Sequence, residues 1–314
     1  MPELSKVVVT GGAGFIGANL CRAFATDDRF GEVVAYDNLS TGNPANLDGF
    51  EVQLVEADIL DAAALDDAVG GASAVVHLAA RPSVSRSIAD PMASHEANAT
   101  GTMQVLEAVR RAGGPHLIVA SSSSVYGANP TLPKTEDLLT APLSPYAASK
   151  LATEAYALAH GHSFGLDVLA FRFFNVFGPL QPAGHAYAAV VPAFVAAALA
   201  GEALPVHGDG RQTRDFTYIG SLVDVMTDAL LRRVASSTPV NLAFGGRFTL
   251  LEAIEVLEGI LGHPLERRHE APRSGDVRDS QADQTRLRSL VPDVEPVPFE
   301  EGLRHTVDWF SSLS

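Results

Sequence analysis

Cysteine is nearly absent from this chain. Cys21 is the only cysteine among 314 residues, so no intramolecular disulfide, four-cysteine zinc site or redox pair can form. We therefore expect no metal centre and a reducing compartment. The residues around the first apolar run, Lys6 to Val9, also lack the basic and apolar regions of a secretion signal. Both observations predict a cytoplasmic protein.

Long apolar runs and an excess of positive charge are absent as well. The most apolar stretch, residues 186–200, is shorter than a membrane span and is interrupted by Pro192. Basic residues number 22 against 37 acidic ones, which gives a formal net charge of −15. A surface of this sign repels nucleic acid and anionic lipid. We expect neither nucleic acid nor a membrane as a partner, and a phosphate group must be bound by a few local donors.

Short apolar runs alternate with longer helical patterns in the first 172 residues. Each run is continuous rather than alternating, which is typical of parallel strands that helices cover on both faces. The pattern predicts an α/β fold with a doubly wound parallel sheet of the Rossmann type. The runs are residues 7–9, 33–36, 52–55, 74–78, 117–120 and 168–171.

The pattern loosens after residue 172, where Gly178-Pro179 and the loop 207–210 interrupt it. We predict a smaller C-terminal α/β domain made of residues 173–213 and 246–314. Residues 1–172 form the first domain. Residues 214–245 return to it, because the segment 214–240 has the pattern of a strand, a helix and a second strand.

A glycine-rich turn follows the first predicted strand. Gly11, Gly14 and Gly17 separate this strand from an amphipathic helix, a spacing that lets backbone N–H groups approach a pyrophosphate. Asp37 ends the second strand, where a carboxylate accepts hydrogen bonds from adenosine ribose hydroxyls and repels a 2′-phosphate. The pattern predicts dinucleotide binding, with NAD favoured over NADP. Asp58 suits the adenine edge, and an exposed loop aspartate is the alternative.

Tyr146 and Lys150 share one face of a predicted helix, whose start is marked by Ser144 and Pro145. An adjacent ammonium stabilises a phenolate and lowers the tyrosine pKa below its usual value of about 10. A chance surface pair is the alternative. The scarcity of lysine argues against a chance pair, since the chain has three lysines and 19 arginines. The fifth strand ends in the serine run Ser121 to Ser124, which brings hydroxyls to the same sheet edge.

Taken in order, the Gly-x-x-Gly-x-x-Gly turn, the serine run before Val-Tyr-Gly and Tyr-x-x-x-Lys resemble the extended short-chain dehydrogenase/reductase family. Within that family the chain is most similar to the sugar-nucleotide 4-epimerases for UDP-glucose and UDP-N-acetylglucosamine. Further matching segments at 77–80, 98–102, 172–179 and 208–216 extend the resemblance over nearly the whole chain. It implies an isomerase that moves a hydride from a sugar carbon to NAD and back to the opposite face.

The resemblance also implies a role for individual residues. Tyr146 is the base for the sugar hydroxyl, Lys150 binds the nicotinamide ribose, and Ser122 hydrogen-bonds the reacting hydroxyl. NAD contacts are implied for Gly11, Gly14, Phe15, Ile16, Gly17, Asp37, Asn38, Asp58, Ile59, Leu78, Ala79, Ala80, Asn98, Tyr146 and Lys150. Contacts with a UDP-sugar are implied for Ser83, Ser122, Ser123, Ser124, Asn175, Ala189, Val190, His207, Arg214, Arg273, Asp276 and Ser280. Of these, residues 189, 190 and 207 fall where the family binds uracil.

Four positions bear on the reaction and the sugar. Ser123 and Ser124 stand where related 4,6-dehydratases have an Asp-Glu pair and related decarboxylases have a glutamate at the second position. Asn175 stands where UDP-glucuronate epimerases are expected to have threonine. Ser280 stands where enzymes restricted to the non-acetylated sugar have a bulky tyrosine. The resemblance therefore favours UDP-N-acetylhexosamines, with UDP-glucose and UDP-galactose left open.

Two other interpretations remain open. One is a different sugar-nucleotide enzyme of the same scaffold, such as a dehydratase, and the other is a dinucleotide-binding protein without catalysis. The intact Tyr146 and Lys150 disfavour the second. Pro82 and Leu180 depart from the commonest family pattern near the sugar, which leaves the sugar unassigned. The resemblance also implies a homodimer joined through the helices near residues 101–111 and 146–160.

Overall fold

A computed structural model describes residues 3–183, 189–271 and 277–313. The strands in this part of the chain are β1 (Leu4–Thr10), β2 (Phe30–Asp37), β3 (Gln53–Glu56), β4 (Ala74–His77), β5 (His116–Ser122), β6 (Val168–Phe173), β7 (Val176–Phe177), β8 (Leu204–His207), β9 (Thr213–Arg214), β10 (Thr217–Tyr218), β11 (Val240–Leu242), β12 (Phe248–Thr249) and β13 (Arg267–Glu270). The helices are α1 (Phe15–Ala25), α2 (Ala62–Val69), α3 (Val84–Ala89), α4 (Pro91–His95), α5 (Gly101–Arg111), α6 (Pro145–Phe164), α7 (Val190–Leu199), α8 (Ile219–Leu231), α9 (Leu250–Leu261), α10 (Thr285–Leu290) and α11 (Phe299–Ser311). Short helical turns cover Pro44–Leu47, Glu96–Thr100 and Ser123–Tyr126.

Seven of the described strands form one parallel sheet in the order β11-β6-β5-β4-β1-β2-β3. The strand order reverses between β1 and β4, and ligands of such folds bind outside the carboxyl ends of the strands at this point. The predicted α/β class with a parallel Rossmann-type sheet is confirmed. Each of the six apolar runs lies in a strand of this sheet, although β3 begins one residue later than predicted and β4 ends at His77.

The central strand β1 shows why these runs are apolar throughout. Val7 and Val9 point to one face of the sheet and pack in a cluster with Leu20 of α1. Val8 points to the other face and packs with Val105 of α5. All three valines are completely buried. Helices cover both faces of the strand, so the alternation of a half-exposed strand is absent.

A third apolar cluster lies away from the sheet. It joins α7, α9, α11 and β8, with Phe194, Val206, Ile254 and Val307 among its buried members. The chain reaches it after β6, as the loosened sequence pattern indicates. No helix among the described residues combines the length and the apolar character that a membrane span needs.

The segment 214–240 contains the predicted strand, helix and strand, but only the last strand enters the large sheet. β11 pairs with β6, whereas β9 pairs with β12 and β10 pairs with β7 outside that sheet. Near the C-terminus, Leu287 and Val291 are buried in the same cluster as Val7. This part of residues 246–314 therefore packs on the large sheet, where its apolar side chains meet those of α8.

A buried ion pair fastens α6 to the sheet. Arg172 of β6 donates from Nη2 to Glu154 Oε1 at 2.7 Å and from Nε to Oε2 at 2.8 Å. Ser121 at the end of β5 donates to the same carboxylate at 2.9 Å, and the guanidinium lies 4.7 Å from the ring centre of Tyr126. The two charges are buried, and their hydrogen bonds with good geometry compensate the loss of water.

We expect Glu154→Leu to lower the free energy of unfolding by about 3–5 kcal/mol, because it leaves the Arg172 charge buried without its partner. The free energy of unfolding of the double variant Glu154→Leu/Arg172→Met should fall by less, since both charges are removed together. Urea unfolding followed by circular dichroism measures both. The matched control is Asp228→Ala, which breaks the surface pair between Asp228 of α8 and Arg232 directly after that helix and should cost at most about 1 kcal/mol. A loss in Glu154→Leu as small as in this control would contradict the role of the buried pair.

Candidate active site

The turn after β1 has a shape that requires glycine. Gly11 has a φ of +72°, and a Cβ added at Gly17 would lie 2.1 Å from the carbonyl oxygen of Gly11. A Cβ at Gly12 would lie 2.6 Å from that of Ala35. α1 therefore begins close against the strand, with Gly14 as an N-cap that has no capping side chain. The N–H groups of its first turn are free to bind a phosphate.

Asp37 lies at the end of β2 and is oriented by two backbone donors. Its Oδ2 accepts from the N–H of Ala13 at 3.0 Å, and its Oδ1 accepts from the N–H of Leu39 at 2.8 Å. A carboxylate has about four acceptor positions, so the remainder can receive ribose hydroxyls. Asn38 donates to Asp58 Oδ2 at 2.7 Å and links the loops that follow β2 and β3.

A cavity of about 1080 Å³ begins at the glycine turn and continues past the ends of β5 and β6. Ligand pockets commonly measure about 300–1000 Å³, so this one is at the upper limit of that range. The predicted cofactor residues on its wall are Gly11, Gly14, Phe15, Ile16, Gly17, Asp37, Asn38, Asp58, Ile59, Leu78, Ala79, Ala80, Tyr146 and Lys150. The wall also contains Ser122, Ser123, Ser124, Asn175, Arg214 and Ser280.

Three predicted catalytic side chains meet at one place on this wall. Tyr146 and Lys150 lie in the first turns of α6. The helix begins where the sequence predicts, because Ser144 Oγ accepts from the N–H of Ala147 at 3.1 Å. Ser122, the last residue of β5, is hydrogen-bonded to the side chain of Tyr146. A strand end and a helix start thus bring a hydroxyl, a phenol and an ammonium together.

Burial disfavours the charged forms of Lys150 and Tyr146. It lowers the pKa of Lys150 to about 8. It also raises the pKa of Tyr146, while the hydrogen bond with Ser122 acts in the opposite direction. Ser122 Oγ accepts from the hydroxyl of Ser124 at 2.9 Å, which leaves the Ser122 hydrogen available for the phenolate. The Lys150 ammonium is therefore about half protonated near pH 8 and mostly charged at lower pH.

A second cavity of about 200 Å³ adjoins the first. Asn175 and Arg214 belong to the walls of both cavities. Ala189, Val190 and His207 line the smaller one, whose remaining wall is largely apolar. The structure thus brings the three residues predicted for the nucleobase next to two that are predicted for the sugar-diphosphate part of the substrate.

Buried Asp215 connects the segments around Arg214. Its Oδ2 accepts from the N–H of Ala282 at 2.9 Å, and its carbonyl oxygen accepts from Asn175 Nδ2 at 3.0 Å. Burial raises the pKa of this carboxyl to about 7. The N–H of Ser280 donates to the backbone of β9 at 3.1 Å. These bonds make one wall from β7, β9 and the segment after residue 277.

Two predicted contacts lie behind the wall. Asn98 is buried, with its Oδ1 accepting from the N–H of Arg81 at 2.7 Å and its Nδ2 donating to Ser149 Oγ at 2.9 Å. Ser83 has a φ of +95° and caps α3 by accepting from the N–H of Arg86 at 3.3 Å. Neither side chain is on the wall of the large cavity. Both are bonded to protein atoms and fix the course of the chain after β4.

The wall includes residues that the sequence motifs do not single out. Lys134 and Asp279 line the large cavity, although neither lies in a recognised motif. The feature of the sequence that points to Lys134 is the scarcity of lysine, which also points to Lys150. Two further predicted substrate contacts, Arg273 and Asp276, lie outside the described residues.

Residues 7–243 match the model of the NAD dependent epimerase/dehydratase family. The chain belongs to this family. Among family members it is 36% identical over 319 residues to the UDP-glucose 4-epimerase of Mycolicibacterium smegmatis, covering 98% of this chain and 99% of that protein.

Solved structures of family members are similar along the whole chain. The UDP-N-acetylglucosamine 4-epimerase of Methanobrevibacter ruminantium, solved with UDP-N-acetylmuramic acid, is 35% identical with a TM-score of 0.93 and complete coverage of both chains, 100% each. The UDP-glucuronic acid 4-epimerase of Bacillus cereus, solved with UDP-glucuronic acid and NAD, is 30% identical with a TM-score of 0.89, covering 98% of this chain and 100% of that one. The resemblance inferred from the motifs is confirmed at family level.

NAD is the cofactor of this family, and the described residues fit it. The glycine turn leaves no space for a Cβ at Gly17 and presents the open start of α1 to the cavity. Asp37 faces the same cavity with acceptor positions to spare. Of the cationic residues on the wall, Lys150 is the one nearest to Tyr146 in the sequence. These residues would hold the pyrophosphate, the adenosine ribose and the nicotinamide ribose, respectively.

We expect Lys150→Met to stabilise the cofactor-free protein at pH 7 by about 3 kcal/mol, because burying the ammonium is unfavourable. Since burial lowers the pKa of Lys150 from 10.5 to about 8, the unfolded state binds more protons between these values. The stability of the wild type therefore rises relative to the variant from pH 8 to pH 10.5. Urea unfolding at several pH values measures the difference. Lys6→Met, at a half-buried lysine whose ammonium donates to the Gly70 carbonyl oxygen at the surface, is the control, and an equal pH dependence in both variants would contradict the assignment.

Proposed function

We propose that this chain is an NAD-dependent 4-epimerase of UDP-sugars. The observation that carries the proposal is the meeting of Ser122, Tyr146 and Lys150 on a cavity that extends from the glycine turn to Arg214. The relatives' own substrates support a UDP-sugar, since they are named for UDP-glucose, UDP-N-acetylglucosamine and UDP-glucuronic acid.

The described residues can perform the proton chemistry of such a reaction. NAD, when bound by the glycine turn, Asp37 and Lys150, would supply the hydride acceptor and donor for C4 of the sugar. The Tyr146 phenolate takes the proton of the 4-hydroxyl, and the ammonium of Lys150 stabilises that phenolate. Ser122 hydrogen-bonds the same oxygen. Tyr146 gives the proton back after the 4-keto sugar has turned its other face, so no external redox partner is required.

The serine pair beside Ser122 favours epimerisation over elimination. Ser123 and Ser124 both line the cavity, where dehydratases of the family pattern would place carboxyl groups. A hydroxyl with an ordinary pKa is a poor acid for expelling water from the sugar. We therefore assign inversion at C4 as the reaction rather than 4,6-dehydration or decarboxylation.

The substrate-side assignments follow the two cavities. We propose that Arg214 binds the diphosphate, with Asn175 beside it, and that Ala189, Val190 and His207 surround the uracil. Arg273 and Asp276 remain sequence-based assignments for the diphosphate and the nucleotide ribose. The short side chain of Ser280 on the cavity wall favours UDP-N-acetylglucosamine and UDP-N-acetylgalactosamine as substrates. UDP-glucose and UDP-galactose are the alternative pair.

Purified protein, without added reductant, should convert UDP-N-acetylglucosamine or UDP-glucose into the galacto sugar. Tyr146→Phe should lower kcat by about 10²–10⁴-fold, because the proton acceptor is lost. Proton NMR of the anomeric signals follows both reactions. Tyr156→Phe, which changes an exposed tyrosine of the same helix, is the matched control. A 4-keto-6-deoxy product, or no reaction with any UDP-hexose, would refute the assignment.

We further propose that the protein is a cytoplasmic homodimer joined through α5 and α6. The outer face of α6 supports this with a row of small exposed residues, Ala148, Ala155 and Ala159, beside Tyr156, which is 44% exposed. Small side chains allow two helices to approach closely. The adjoining Phe164 is also exposed, at 53%.

Introducing a long charged side chain into this row should separate the subunits. Ala155→Arg is expected to halve the mass measured by light scattering after size-exclusion chromatography, because the guanidinium cannot be buried against its own copy. Glu255→Arg, an equally exposed position on α9, is the control. A wild-type protein that is already monomeric would exclude the proposed dimer.

A further inference from the structure

Lys134 has an unusual position for a lysine. It lies in the loop between the turn at Ser123–Tyr126 and α6, and its side chain is only 3% exposed. Its N–H donates to the carbonyl oxygen of Gln281 at 2.7 Å, and its carbonyl oxygen accepts from the N–H of Asp283 at 2.9 Å. These two bonds fix the backbone of Lys134 next to the segment that contains Ser280. Both side chains line the large cavity.

The ammonium of Lys134 is not fully bonded by the protein. An ammonium has three N–H donors. Its Nζ donates to the carbonyl oxygen of Asn129, and within the described ranges it has no second hydrogen-bond acceptor. Burial lowers the pKa of Lys134, while the charge of Asp279 raises it. The cavity is therefore where the remaining N–H groups can find an acceptor.

Asp279 determines which kind of acceptor fits. This carboxylate lines the same cavity and is held by Thr213 Oγ1, which donates to Oδ1 at 2.8 Å. The same Oδ1 lies 3.9 Å from Nη2 of Arg247, and the carboxylate acts on the charge of Lys134 at longer range. A second carboxylate from a ligand would be repelled by Asp279, whereas a neutral carbonyl oxygen accepts from the ammonium without that penalty.

Ser280 supplies the space for such a group. It is the neighbour of Asp279 in the chain, and its short side chain lines the wall next to the segment bonded to Lys134. A bulky residue there would take up volume of the cavity beside the segment that is bonded to Lys134. The sugar substituent that combines moderate bulk with a neutral carbonyl oxygen is a 2-acetamido group.

We propose that Lys134 is a specificity-determining residue whose ammonium donates a hydrogen bond to the acetamido oxygen of a UDP-N-acetylhexosamine. This inference rests on the proposed function, because it concerns the sugar in the same cavity. It adds an attractive contact for the acetamido group to the space that Ser280 leaves open. Lys134 contacts the substrate and takes no part in the proton transfer.

The test compares Lys134→Met with the wild type on UDP-N-acetylglucosamine, UDP-glucose and UDP-glucuronic acid. Lys134→Met keeps the length and the burial of the side chain and removes its donors. We expect kcat/KM for UDP-N-acetylglucosamine to fall about 10- to 100-fold more than kcat/KM for UDP-glucose, as for a lost hydrogen bond to a charged group. Lys134→Gln retains an N–H donor and should recover part of the preference. Lys6→Met removes a lysine that also donates to a backbone carbonyl, but on the surface, and should leave the preference unchanged.

A second readout keeps the inference separate from catalysis. In the Tyr146→Phe background, calorimetric titration gives the dissociation constants of UDP-N-acetylglucosamine, UDP-glucose and UDP-glucuronic acid with and without Lys134→Met. A selective loss of UDP-N-acetylglucosamine binding supports the inference even if no sugar is turned over, in which case the proposed 4-epimerisation alone fails. An equal loss for both sugars would show that Lys134 only holds the loop. A loss confined to UDP-glucuronic acid would show a carboxylate contact, and either result would overturn the inference.

Discussion

The buried ion pair of Arg172 and Glu154 determines where the catalytic groups stand. Glu154 lies one helical turn beyond Lys150, and Arg172 belongs to the strand beside β5. Ser121 donates both to this carboxylate and to the carbonyl oxygen of Lys150, immediately before Ser122 in the chain. The end of β5 and the first turns of α6 are thus held in place by the same charged centre. Without it, the end of β5 and the start of α6 would keep the hydrogen bonds of Ser121 to the Lys150 carbonyl oxygen and of Ser122 to Tyr146, but would lose the charged centre that fixes their distance more strictly.

Much of this arrangement is predictable because it depends on local pattern. Continuous apolar runs predict the parallel strands, and Ser144 with Pro145 predicts the start of α6. For Asn98 and Ser83 the sequence predicts ligand contacts, and the structure adds hydrogen bonds from their side chains to protein N–H and hydroxyl groups. A polar side chain beside a cavity needs a partner in either case, and sequence does not distinguish the two kinds of partner. The pairing of β9 and β10 outside the large sheet is not predictable from the sequence either, because it depends on long-range packing.

The charge composition has a meaning that only the structure reveals. The chain carries a formal charge of −15 and contains three lysines. Two of them, Lys134 and Lys150, are buried on the wall of one cavity. Lys150 could be found from its spacing to Tyr146. Lys134 could not, because its neighbours Gln281 and Asp283 come from the other end of the chain. An acidic protein that binds an anionic nucleotide thus concentrates its rare ammonium groups where water is excluded, and electrostatic interactions there are strongest.

The alternation of Val7, Val8 and Val9 between two separate cores restricts how the gene can vary in length. A strand repeats every second residue, so deleting one codon within β1 would exchange the side chains that the two cores receive. The same deletion would rotate the turn at Gly11 away from Ala35, against which Gly12 is packed without room for a Cβ. A change of length within β1 or the glycine turn would therefore disturb both cores and the dinucleotide site together. The dinucleotide end of the protein can vary by substitution, but not by insertion or deletion in this strand.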